Sequence, residues 1–151
     1  MISVSDTRLC HIDAIEEIEK QCFSVPWTRE ILIKQLSDDM HIFLAALNDS
    51  GEAVGYVGLM YVLDEGYISN GAVSPEWRRR GIGDMLIEEL LRRALAKKLS
   101  FVTLEVRESN LTAQALYRKH GFTEVGRRKK YYDRPTEDAI LMTRFLSEEG
   151  Q

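Results

Sequence analysis

Apolar positions along the chain change period several times, and each change marks an element. Residues 1–4 read as a short opening strand. Ile12, Ile15, Ile18 and Cys22 then recur at three- and four-residue steps, which predicts an amphipathic helix to about Phe23. SVPWT interrupts it, and Thr28 is placed to cap a second short helix through Leu36. HIFLAAL (41–47), the turn NDSGE and AVGYVGLMYVL (53–63) predict an antiparallel hairpin, followed after Asp64-Glu65-Gly66 by a fourth strand, YISNGAV. A helix over about 82–98 and the strand FVTLEV (101–106) come next, and this order implies a right-handed crossover and a parallel pair. Ser109 or Asn110 opens a further helix that Gly121 closes in left-handed conformation. FTEVGRRKKYYD and DAILMTRFL form a last hairpin around RPTE. The predicted class is a mixed α/β fold, one sheet of about seven strands with helices on both faces.

At 151 residues the chain fits one domain, 1–151, able to bury roughly 70% of its unfolded surface. Its 44% hydrophobic and 29% charged residues suit a soluble enzyme and argue against disorder. No apolar run approaches the ~20 residues of a membrane span, and no charged segment leads into an apolar one at the N-terminus. With only two cysteines and no framework spacing, a cytoplasmic setting without membrane contact is expected. The net charge of −4 argues against nucleic acid as a partner and leaves room for a small anionic ligand at a local basic cluster.

That cluster is RRRGIGDML, from Arg78, directly ahead of the long helix. Three cations at a helix start oppose its dipole, and glycine is a poor helix residue, so the segment is unfavourable by itself. Backbone N–H groups at a helix start lack partners, glycines let a ligand approach them, and arginines add charge-assisted bonds to phosphate. A solvated charge run is the alternative. Neither G-x-x-x-x-G-K-[ST] nor a complete G-x-G-x-x-G is present. What remains is R-x-x-G-x-G, from Arg78, Gly81 and Gly83.

On this motif, with FSVPWT (23–28), NGAVSPEWRRRGIG (70–83), LEVRESNLTAQALYRKHGF (104–122) and GRRKKYYDRPTEDAILM (126–142), the sequence resembles the GNAT superfamily of N-acetyltransferases. Within that superfamily it is similar to the RimI-like, ribosomal-protein alanine N-acetyltransferase branch. The resemblance covers essentially the whole chain and implies the GNAT fold with acetyl-CoA as co-substrate. By it, Arg79, Arg80, Gly81, Ile82, Gly83 and Asp84 supply backbone N–H groups to the pyrophosphate. Gly71, Ala72 and Val73 pair with the pantetheine amides as an added strand would, and Asn110 bonds the arm nearer the sulfur. The branch usually has a bulky apolar residue where Gly71 stands, so a flexible strand and an emptier wall are expected there.

Along FVTLEV, Val102, Leu104 and Val106 share one face and Phe101, Thr103 and Glu105 the other. A mid-strand carboxylate is costly to bury unpaired. Either Arg107, two residues on, forms a structural ion pair with Glu105, or Glu105 faces a cleft. Tyr117 falls on the next helix, as core or as cleft lining. Amine acetylation needs one group to take a proton from the ammonium and another to protonate the leaving sulfur. The resemblance assigns these roles to Glu105 as general base and Tyr117 as general acid, with direct attack in a ternary complex. Cys10 and Cys22, around the first helix and away from the loop, read as packing residues. His11, His41 and His120 show no metal spacing, so no metal is expected.

Arg127 to Lys130 read as a solvated basic face on an edge strand. Tyr131 and Tyr132 are hairpin packing or entrance lining, and Trp27 is a plug or a channel wall. Asp64, Glu65 and Asp133 are placed near the mouth. The resemblance implies a polypeptide N-terminus as acceptor, with the N-terminal alanine of a small-subunit ribosomal protein as first choice. A GNAT enzyme for a small amine or lysine side chain, and a CoA-binding regulatory module without catalysis, are the competing readings.

Overall fold

The computed structural model describes residues 1–146. Strand β1 (Ser3–Asp6), helices α1 (Ile12–Cys22) and α2 (Arg29–Leu36), and strands β2 (His41–Leu47), β3 (Ala53–Val62) and β4 (Glu65–Val73) come first. Helix α3 (Ile82–Ala96), β5 (Phe101–Arg107), α4 (Leu111–Lys119), β6 (Thr123–Tyr132) and β7 (Glu137–Phe145) follow. All seven strands join one sheet in the order β1-β2-β3-β4-β5-β7-β6, antiparallel except for β4 with β5.

Local chemistry sets the boundaries. Thr28 Oγ1 accepts the Ile31 N–H at 3.3 Å and caps α2, and Asn110 Oδ1 accepts from Ala113 at 3.1 Å to cap α4. Gly121, at φ +89°, ends the α4 segment. One side of the sheet packs on α3 through Leu44, Val57, Leu59, Val102 and Leu104 against Leu86 and Leu90. The other packs on α1 and α2 through Phe43, Ala45 and Tyr56 against Ile12, Ile15 and Leu32. The alternation in β5 is as the sequence reads, with Val102, Leu104 and Val106 buried and the intervening residues half-buried.

The feature that matters for function is a split. Parallel pairing of β4 with β5 covers only Glu65 to Tyr67 against Phe101 to Thr103. Beyond Tyr67, Ser69 is an extra residue in the β3–β4 register, between the Leu59–Ile68 and Gly58–Asn70 pairs. Such a bulge bends its strand, and β4 runs on to Val73 paired with β3 alone. A cleft opens between the C-terminal ends of the two central strands. Asp64 and Glu65 therefore lie at its closed end, not at the mouth: Glu65 pairs with Phe101, and Ser100 Oγ donates to Asp64.

Candidate active site

The cleft broadens into a cavity of about 880 Å³. Its walls are the loop after α1, the split part of β4, the end of β5, the start of α4 and the β6–β7 turn. Glu105 and Tyr117 both line it, as do Gly71 and Asn110, while residues 79–84 lie outside it.

At the start of α3 the loop is built to present main-chain N–H groups. Arg79 and Gly81 have φ of +64° and +76°, the left-handed conformation that turns successive amides to one side. Among the described residues, none of the N–H groups of Arg79, Arg80, Gly81, Ile82, Gly83 or Asp84 has a hydrogen-bond acceptor. The side chains do other work. Ile82 is core, the Arg80 guanidinium stacks 4.6 Å from the Trp77 ring centre, and Asp84 accepts from His120 at 2.8 Å and Lys119 at 3.1 Å. The two glycines divide the labour: Gly81 supplies the turn, whereas a Cβ on Gly83 would lie 3.1 Å from Leu116, so its smallness admits α4.

On β4, Gly71 and Ala72 pair with Val57 and Tyr56 and have no β5 neighbour, which leaves an edge an extended ligand can pair with. Val73 is less open, because its carbonyl accepts from Arg78 Nε at 3.3 Å. The emptier wall expected at Gly71 is absent: Val57 Cγ2 and the Tyr56 carbonyl lie 3.2 Å from where its Cβ would stand. Asn110 spends its Oδ1 on the helix cap, and its amide NH2 has no partner among the described residues.

Glu105 is not paired with Arg107. Arg107 bonds Glu137 at 3.0 Å and the Asp133 and Pro135 carbonyls, and stacks on Tyr132. Glu105, its side chain only 7% exposed, is reached instead by Arg128 Nε at 2.5 Å and by the hydroxyls of Tyr67 and, at 3.3 Å, Tyr131. Burial, with the neighbouring carboxylate, pushes the Tyr67 phenol far up, so it stays a proton donor. Tyr117 stacks edge-on against Phe122, its ring centre 5.4 Å away. Its hydroxyl has no hydrogen-bond partner among the described residues, and burial pushes its pKa up to about 12.

These two features, a run of main-chain amides without acceptors among the described residues and a cleft between splayed parallel strands ending on a carboxylate and a phenol, agree with a comparison to known families. The acetyltransferase (GNAT) family model matches residues 12–122.

The chain belongs to the GNAT acetyltransferase family.

It is 34% identical to the ribosomal protein bS18-alanine N-acetyltransferase of Haemophilus influenzae, over 97% of this chain and all of that one. It is 32% identical to the Escherichia coli protein of the same name, over 94% and 96%. Among solved structures, the ribosomal-protein-S18-alanine N-acetyltransferase from Escherichia coli superposes with a TM-score of 0.89 at 28% identity, covering all of this chain and 99% of that one.

The sequence reading of this GNAT acetyltransferase needs further corrections. Cys22 is not remote from the loop: it lines the cavity, and Arg78 Nη2 donates to its Sγ at 3.2 Å. Cys10 is exposed rather than packed. The basic run is partly neutralised, with Arg127 paired to Glu108 at 2.9 Å and Arg128 to Glu105. Asp133 does line the cavity, and Trp27 both lines it and packs against the α1–α2 core. Arg128 is thus a partner of the cavity carboxylate rather than only part of a solvated face. No such signal marks Tyr67 in the sequence, whereas Glu19 stands four residues after Ile15 and three before Cys22, on the apolar stripe of α1.

Proposed function

We propose that the protein transfers the acetyl group of acetyl-CoA to the α-amino group of a polypeptide N-terminus, the N-terminal alanine of ribosomal protein bS18. The acceptor assignment rests on the names of the relatives and on the open, two-loop cavity, which suits a chain end threaded between the residue 23–27 loop and the β6–β7 turn.

The amides of Arg79 to Asp84 hold the diphosphate of the co-substrate, and charge-assisted bonds from flanking arginines add to this. Gly71 and Ala72 pair with its amide-bearing arm, and the Asn110 amide steadies that arm, directing the thioester toward Glu105 and Tyr117. Glu105 takes one proton from the acceptor ammonium, directly or through water, and the freed amine attacks the thioester carbonyl. As the C–S bond breaks, Tyr117 gives its phenolic proton to the sulfur. The second proton, shed by the nitrogen as it becomes an amide, restores the phenol through water, and Glu105 releases its proton to solvent. The raised pKa of Tyr117 keeps it in the protonated form that a general acid requires. Arg128 and the Tyr67 hydroxyl hold the Glu105 carboxylate in place between turnovers.

The single observation that carries this reading is the run of six amides, unpartnered among the described residues, beside the split strands. An acceptor panel tests it. An Ala-initiated peptide with the bS18 N-terminal sequence should be acetylated with kcat/KM far above that of polyamines, aminoglycosides or an internal lysine peptide. Preference for any of these over the Ala-initiated peptide would contradict the proposal, and CoA binding without transfer to any acceptor would favour a regulatory module.

A further inference from the structure

Glu19 ends in the interior although nothing in the chemistry above uses it. It is fully buried in the last turns of α1. Its Oε1 accepts the Trp27 N–H at 2.7 Å, and its Oε2 accepts from the Tyr56 hydroxyl and the Asn70 side-chain amide. A buried carboxyl is costly unless its oxygens are satisfied, and here donors from three separate segments satisfy them. Two of those donors belong to cavity walls: Trp27 to the loop after α1, and Asn70 to the split part of β4. The Phe23 N–H, bonded to the Glu19 carbonyl at 2.9 Å, only continues the helix at the start of the loop. The links from the start of α2, Arg29 N–H to Glu16 and Arg29 to Asp13, are exposed and contribute little. Burial pushes the carboxyl up to about 7, against the lowering effect of the Trp27 amide.

We propose that Glu19 is a positioning residue for the acceptor, tying the residue 23–27 wall to β4 at Asn70 and so fixing the width of the channel by which an amine reaches Glu105. This rests on the acetyltransferase reading above. The co-substrate cradle at residues 79–84 has no bond to Glu19, and Gly71 and Ala72 are held by their backbone pairing with Val57 and Tyr56 of β3 rather than by the carboxyl. The effect of losing the tie therefore falls on acceptor binding.

Polarity gives the test. In Glu19→Gln an oxygen still faces Trp27, but an NH2 now faces the NH2 of Asn70. In the double variant Glu19→Gln with Asn70→Asp, the donor and acceptor exchange places and the bond is restored. Steady-state kinetics with the Ala-initiated peptide should show its KM raised about tenfold in Glu19→Gln, as expected for a buried donor left unpaired, with the acetyl-CoA KM unchanged. The double variant should return the peptide KM to near wild type. An unchanged peptide KM in folded Glu19→Gln, or no recovery in the double variant, would overturn the proposal. Should the single variant not fold, the double variant decides alone: wild-type peptide KM supports the tie, and an unfolded or acceptor-defective protein refutes it. Wild-type protein inactive on the peptide would instead contradict the acetyltransferase reading, so the two failures are distinct.

Discussion

Arg128 reaches from the edge strand β6 across β7 to β5 and places its Nε 2.5 Å from Glu105 Oε2. The pair is asymmetric: the Arg128 side chain is 56% exposed and that of Glu105 only 7%. An arginine so open contributes no more than about 1 kcal/mol to stability, whereas the carboxylate sits in the cavity at the end of the split. Glu105→Gln should therefore lower kcat by about 10²–10⁴-fold while acetyl-CoA still binds. Arg128→Ala should cost less than about 1 kcal/mol in urea unfolding. A Glu105→Gln enzyme with wild-type turnover would remove Glu105 as the base.

Tyr117 offers a cleaner separation of chemistry from structure. Its ring packs on Phe122 but its hydroxyl bonds to nothing among the described residues, so Tyr117→Phe removes a proton donor and little else. Thermal unfolding should be nearly unchanged and kcat should fall by about 10²-fold or more. Equal turnover in the two proteins would exclude Tyr117 as the acid.

At the cradle, Gly81 stands at φ +76° with open space around its missing Cβ. Gly81→Ala brings no clash, only backbone strain of about 1 kcal/mol, which relaxes by turning the neighbouring amides. Acetyl-CoA KM should rise several-fold with peptide KM unaffected, measured by varying each substrate in turn. A rise in peptide KM alone would place the diphosphate elsewhere.

Glu19 predicts a pH dependence of stability. Its carboxyl moves from an ordinary 4.5 to about 7 on folding, so the folded state binds the proton more tightly. The contribution to stability is fully present below 4.5 and is lost as pH rises through about 7. Between those limits the wild type should lose on the order of 3 kcal/mol relative to Glu19→Gln, which lacks the titration. Urea unfolding of both proteins across that range checks it, and parallel curves would contradict it.

Much of this architecture was legible in local pattern. The three-and-four spacing of α1, the Thr28 cap, the two hairpins and the alternation of β5 each depend on residues close in sequence, and each element stands within a few positions of its reading. The partner of Glu105 was not legible, because Arg107 is near in sequence while Arg128 arrives only through the pairing of β6 with β7 and β7 with β5. Asp64 and Glu65 were misplaced for a related reason: a strand's sequence does not say at which end it leaves its neighbour. Glu19 hid within IEEIEK, where a third glutamate looks like solvent face unless its place on the apolar stripe is weighed. At Gly71 a single position could not reveal that Val57, across the β3–β4 pair, fills the space.

The central claim is that the cradle and the split strands deliver an acetyl group to a chain's α-amine. Tandem mass spectrometry of ribosomal protein bS18, incubated with the purified protein and acetyl-CoA, tests it most directly. The account predicts one added acetyl group, located on the N-terminal alanine and lost in Glu105→Gln. An unmodified alanine, or an acetyl group found only on lysine side chains, would contradict it.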